Sequence, residues 1–323
     1  GAGPEHRGGG TMTTAVGMTQ SVPSTPSAAS MPSATSMPSV PPAAPSLPID
    51  PKASAAGPSP RNRKSPPFLI ALALEVRKLR RKHYWLMAAA AGIILALWSG
   101  GLARYRVSGP EETRLAVMSM NEAAELIAMF MPAAIGALAS RMVTADTEER
   151  MGQMMTALGQ RPTTRFLAKL TVLSLTVIAV EAAVIGATLL CASGSRITPS
   201  YGTTLVPTLI IVIGFSIAVS ACQLALSTCV SRQAIGLGAA IIGGLICSIL
   251  PFYKLETVAW ALPWGLTSAA SPINTPASYT SVTTTGDVTV IAHPWLTAVL
   301  TIIVAAGWAV ISYVAIVRKE SRS

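Results

Sequence analysis

Residues 205–230 read Leu205-Val-Pro-Thr-Leu-Ile-Ile-Val-Ile-Gly-Phe-Ser-Ile-Ala-Val-Ser-Ala-Cys-Gln-Leu-Ala-Leu-Ser-Thr-Cys-Val230, a run without one charged side chain. A helix rising 1.5 Å per residue crosses the hydrocarbon of a bilayer in about 20 such residues. Five more runs of similar character lie near Trp85–Ala103, Ala123–Val143, Leu167–Ala192, Ile235–Phe252 and Trp295–Val317. Backbone amides in lipid must bond within their own segment, so each run is expected to be a helix. Ten-residue alternating strands, the signature of a barrel, do not occur. The expected fold class is therefore all-α integral membrane, with six transmembrane helices.

Composition agrees. Of the 323 residues 51% are hydrophobic and only 12% charged, half the charged share of a soluble protein. Mean hydropathy is +0.52. The formal net charge of +10 does not point to nucleic acid, because its location argues for lipid headgroups. Eight Lys and Arg lie between Arg61 and Lys82, directly before the first span. If the amino terminus is cytoplasmic, regions on that side hold 17 Lys and Arg against five on the other: Arg104, Arg106, Arg114, Arg196 and Lys254. This asymmetry predicts a multi-pass membrane protein with both termini on the cytoplasmic side.

Residues 1–67 hold 14 of the 24 prolines and almost no large aliphatics. Such a leader is expected to be disordered, and no apolar core of a secretory signal occurs in it. The chain begins with Gly, and Met12, Met18, Met31 and Met37 offer alternative starts. The division expected is a leader over 1–67 and one six-helix domain over 68–323. Cys191, Cys222, Cys229 and Cys247 lie in or beside apolar runs without a C-x-x-C pair, and read as small buried hydrophobes.

Signatures of chemistry are missing. There is no H-E-x-x-H, no G-x-x-x-x-G-K-[ST] and no G-x-S-x-G, and His6, His83 and His293 are scattered. No catalytic residue and no metal site is assigned. Two constellations at the cytoplasmic side carry more. The first is Glu75-Val-Arg77-Lys78-Leu-Arg80-Arg81-Lys82-His-Tyr-Trp85, where Leu69, Leu72, Val76 and Leu79 recur at helical spacing beside a basic face. It reads as an amphipathic helix on the inner leaflet or as the plain basic flank of a span. The second is the loop 144–166. Glu148, Glu149 and Arg150 lead a short helical pattern, and Met151, Met154, Met155 and Leu158 form an apolar edge suited to docking on another protein or to lying on the membrane. Gly159 ends that pattern and Pro162 starts the next, followed by Arg165 and Lys169.

Three acids fall at membrane depth or its edge. Glu181 lies midway along the third span, where an unpaired charge costs at least about 2.5–3.5 kcal/mol. It is expected either to face a substrate path or to take a structural hydrogen bond from Gln223 or a hydroxyl. Glu122 and Glu125 near the outer start of span two either snorkel to water or line the same path. The outer stretch 253–294 either re-enters the membrane in its first half or lies at the surface, anchored by Trp260 and Trp264. Ala96-x-x-x-Gly100, Ala239-x-x-x-Gly243 and Ala240-x-x-x-Gly244 suit close helix packing.

These features together resemble the permease subunit of ABC exporters of the second type, in particular the lantibiotic-immunity and drug-permease branch. The resemblance covers 68–320 and rests on the basic Glu75–Trp85 pre-span helix, on Glu149 followed by Leu158-x-x-x-Pro162-x-x-Arg165-x-x-x-Lys169, and on six spans. It implies that Glu75–Lys82 is a connecting helix and that the loop Glu148–Leu158 docks a separate ATP-binding subunit. That partner would carry ATP and Mg, with no cofactor on this chain. It further implies pairing with a second permease subunit, identical or similar, and outward transport of an antimicrobial peptide or hydrophobic drug. A different class of reading keeps the same loop as the recruitment site of a non-transporting scaffold or sensor.

Overall fold

The computed structural model describes residues 68–80, 83–111, 114–148, 162–195, 201–230, 232–274 and 288–321. Short α1 (Phe68–Leu79) precedes five long helices: α2 (Tyr84–Val107), α3 (Ala116–Glu148), α4 (Pro162–Cys191), α5 (Tyr201–Cys229) and α6 (Gln233–Ile249). A 3-10 turn over Leu250–Tyr253 extends α6. The chain then forms α7 (Glu256–Ala261), a 3-10 turn over Pro263–Gly265 and α8 (Leu266–Ala270), and closes with α9 (Pro294–Glu320). No strand occurs among the described residues beyond a single bridge between Ile273 and Val290. Helices α2, α3, α4, α5, α6 (with its 3-10 extension) and α9 are each long and apolar enough to cross a membrane. The protein is an all-α integral membrane protein with six spans, as its apolar runs predict.

Helix α1 separates from α2 at His83, whose φ of 57° ends the helical path; histidine is among the few residue types enriched in that region. On α1, Ala71, Glu75 and Leu79 are buried at i, i+4 and i+8, while Leu69, Val76, Arg77 and Arg80 stay exposed. Helix α1 packs mainly against α4.

The bundle is organised around α5, 67% of whose apolar window is buried, against 22% for α6 and for α9. Helix α9 runs along α5, α2 along α4, and α3 along both α5 and α6. The perimeter is covered by exposed Leu86, Ile93, Ile94 and Leu97 of α2, Ile242 and Ile246 of α6, and Ile303 and Ile311 of α9. So much exposed aliphatic surface fits lipid as the solvent.

Small residues set the close approaches, as the spacings of the sequence suggest. A Cβ on Gly100 would lie 3.1 Å from Cys191 Sγ, one on Gly136 2.9 Å from the Ala240 methyl, and one on Gly244 2.8 Å from the Met129 carbonyl, beside Pro132. Ser99 and Thr188 add a buried hydroxyl–hydroxyl bond of 2.6 Å between α2 and α4.

The stretch after α6 folds back into the bundle. A Cβ on Gly243 would lie 2.6 Å from the Trp264 ring, so the Pro263–Gly265 turn reaches the level of Gly243. That residue is ten positions into α6, about 15 Å along it and half of a 30 Å hydrocarbon core. Of the two readings open for 253–294, this packing against α6 favours the re-entering one for its first half. The hairpin's return leg is tied to α6 by Ser268, whose hydroxyl donates to the Cys247 carbonyl at 2.9 Å.

Candidate functional site

At the end of the bundle where α1 lies, three elements meet through charge. Lys78 of α1 pairs with Glu75 one turn earlier at 2.5 Å, and with Asp146 near the end of α3. Asp146 also accepts from Lys169 of α4. Two acids and two bases thus form a neutral cluster whose side chains are 6–14% exposed. Ions removed from water this far persist only when paired, and the two lysines pair through one shared carboxylate.

The expected connecting-helix residues therefore divide. Glu75 and Lys78 face the bundle, Arg77 and Arg80 face outward, and Arg81 and Lys82 lie outside the described residues. Asp146 carries the junction although the sequence reading gave it no role. Its signal is weak: the apolar run of span two ends at Val143, and only continuation of α3 to Glu148 turns Asp146 towards α1 and α4.

The loop expected to dock a partner is framed by helices longer than the apolar runs. Glu148 closes α3, and Pro162 opens α4 at a first-turn position where its missing N–H costs nothing. Arg165 is half-buried and Lys169 buried. Glu149, Arg150, Met151, Met154, Met155 and Leu158 lie outside the described residues. The start of α4 is braced against the end of α9 by Thr163 and Tyr313, whose hydroxyls are 2.9 Å apart, and by the Phe166–Tyr313 ring contact at 5.9 Å.

The three candidate path acids are not brought together. Glu122 pairs with Arg106 of α2, which also bonds its second oxygen at 3.3 Å; it ties two helix ends. Glu181 is fully buried, and Ser216 of α5 donates to one of its oxygens. Gln223, the other expected partner of Glu181, is instead held by the hairpin. Its amide oxygen accepts from Trp264 Nε1 at 3.1 Å and its nitrogen donates to the Gly236 carbonyl at 3.2 Å. Glu125 accepts from Asn121 at 2.8 Å and lines a small cavity between α3, the end of α6 and the hairpin.

All four cysteines are free thiols, with Cys222 and Cys247 buried, Cys191 intermediate and Cys229 exposed. Among the described residues no group of three or more His, Cys, Asp or Glu side chains could hold a metal ion. What this end of the molecule can do is mechanical: the neutral cluster joins α1 to the span ends that frame the 149–161 connection.

A comparison with protein families matches residues 71–248, from α1 through most of α6, to the family described as ABC-2 family transporter protein. No curated protein matches the chain.

Proposed function

We propose, since this chain belongs to the ABC-2 family of transporter proteins, that it is the permease of an ATP-driven exporter whose ATP-binding subunit docks at the α1 end of the bundle. The family is a membrane transport component rather than the ATPase, and its permeases normally work with an ATP-binding subunit. On this reading the α1 end and both termini are cytoplasmic, in the plasma membrane, which the 17-to-five distribution of Lys and Arg supports. Glu148, Glu149, Arg150, Met151, Met154, Met155 and Leu158 form the docking surface, and a second permease subunit, identical or similar, completes the path.

The observation that carries the proposal is the charge cluster Glu75–Lys78–Asp146–Lys169. A subunit gripping the loop between α3 and α4 pulls on both helix ends. The shared carboxylate makes α1 follow them, so a push at the loop becomes a rigid displacement of spans two and three. Cargo is an amphipathic antimicrobial peptide or a hydrophobic drug moved outward. Glu125, which lines the cavity between α3, the end of α6 and the hairpin, is the acid retained for its path.

Co-purification from solubilised membranes tests the docking. A Walker-type ATPase is expected to accompany the intact chain and to be lost on Glu149→Lys or on Met154→Glu with Met155→Glu. A chain that purifies alone, or that recruits a partner without a nucleotide site, overturns the transporter reading and favours a scaffold.

A further inference from the structure

A groove of about 400 Å³ opens on the outer surface between α2 and α4, running from Trp85 to Ala96 on one helix and from Thr176 to Ala183 on the other. Ala88 and Gly92 are buried and form its floor, where a Cβ on Gly92 would lie 3.2 Å from Val180. Ala89, Ala179 and Ala183 are exposed along it, so methyl groups stand where longer side chains would fill the space. Thr176 is the single polar residue of the lining, and its hydroxyl proton goes to the Val172 carbonyl at 2.7 Å. An occupant therefore finds dispersion contacts and no hydrogen-bond donor. From Trp85 to Ala96 the helix rises about 16 Å, half of a 30 Å hydrocarbon core and so the depth of one leaflet. Beyond Ala96 the two helices close up: Ser99 bonds Thr188 at 2.6 Å, and a Cβ on Gly100 would lie 3.1 Å from Cys191 Sγ. At the other end, where the groove starts, α1 exposes Arg77 and Arg80, three residues apart and hence on one side of the helix. Among the described residues neither guanidinium has an ion pair, whereas Lys78 between them has two. Arg80 precedes Trp85 by a stretch of chain at most about 17 Å long.

We propose that this groove holds one acyl chain of an anionic phospholipid, whose phosphate is met by Arg77 and Arg80. Charge complementarity selects that occupant. The guanidiniums call for an anion and the groove for hydrocarbon, and one amphiphile supplies both. Helix α1 exposes Leu69, Leu74 and Val76 beside the two arginines, the pattern of a helix lying at the headgroup boundary. That is the level at which the phosphate of a chain seated in the groove comes to rest. A second copy of this protein fits worse. Copies inserted the same way round pair about an axis along the membrane normal, so this groove as their interface would set Arg77 and Arg80 opposite their own counterparts. A spanning helix of any partner would also lie along about 30 Å of surface, twice the length of the groove. Bound in this way the lipid joins α1, α2 and α4 beside the Glu75–Lys78–Asp146–Lys169 cluster. The inference rests on neither the cargo nor the ATP-binding subunit.

The test uses the full chain in a non-ionic detergent, with retained lipid counted by native mass spectrometry. It is titrated with long-chain phosphatidylglycerol, with phosphatidylcholine of the same chains, with dihexanoyl phosphatidylglycerol and with glycerol phosphate. Saturable binding of one long-chain phosphatidylglycerol is expected, at least about tenfold tighter than phosphatidylcholine, with no binding of the short-chain lipid or of glycerol phosphate over the same range. Arg77→Gln with Arg80→Gln, both at exposed positions, is expected to fold normally and to bring phosphatidylglycerol down to the phosphatidylcholine level. Ala89→Phe with Ala183→Phe fills the groove from its exposed sides and is expected to abolish saturable binding while leaving the Tm of the lipid-free chain unchanged. Equal affinity for both headgroups in the intact chain, equal affinity for glycerol phosphate, or undiminished binding in the groove-filled variant overturns the proposal. A dimer that dissociates on filling the groove while lipid binding persists also overturns it, and gives the groove to a second copy.

Discussion

Asp146 is one side chain at which three helices meet, because the carboxylate on α3 accepts from Lys78 of α1 and from Lys169 of α4. Asp146→Asn is expected to cost about 3 kcal/mol, the scale for breaking a buried pair from one side, read as a lower Tm of the purified chain. Asp146→Glu, which keeps the charge, is expected to recover part of it. Equal stability of the Asn variant would mean that the cluster is solvated and joins nothing. At the same scale, Gly243→Ala places a methyl 2.6 Å from the Trp264 ring. It should cost about 1–3 kcal/mol by overpacking and red-shift Trp264 emission as the indole leaves Gln223. The sequence marks Glu75, Lys78, Lys169, Gln223 and Trp264 as notable, yet their partners depend on which faces meet, which no local pattern encodes. Glu181 illustrates this: the sequence leaves Gln223 or a hydroxyl as its donor, and only packing of α4 on α5 selects Ser216.

Helices announce themselves through hydropathy, so the six spans are legible to within a few residues, while their polar ends are not. Helix α3 continues five residues beyond the apolar run and α4 begins five before it. At 33 residues, α3 is about 50 Å long, well beyond a 30 Å hydrocarbon layer. The surplus at its α1 end carries Asp146. The helical period of α1 is legible by spacing, but its buried face is not the expected apolar one: Leu69 and Val76 stay exposed, while Ala71 and Glu75 are buried with Leu79. The hairpin 254–270 was half legible. Its Trp and Leu residues suggest contact with apolar surroundings, but its helices of five and six residues are too short to span. The decision to fold inward is made by Gly243 and Gly244 on the neighbouring helix, which leave room for the indole and for α3.

For the whole molecule, the architecture divides labour between its ends. One end joins α1, α3 and α4 through compensated charge, around a connection that no span requires to be acidic and methionine-rich. The other inserts a hairpin beside a small polar cavity lined by Glu125. Permeases of the ABC-2 family normally work with an ATP-binding subunit, and on the proposed reading the charge-coupled end is where its force would enter as rigid-body motion. Cargo is not legible; on the proposed reading the path is shared with a second permease subunit, so its lining would not be contained in one chain. Photocrosslinking from position 154 in intact cells tests this account most directly. It predicts an adduct with a nucleotide-binding subunit, formed on the cytoplasmic side and lost when Asp146→Asn loosens the junction. An adduct only with extracytoplasmic proteins, or labelling of position 154 by a membrane-impermeant reagent added outside, would contradict it.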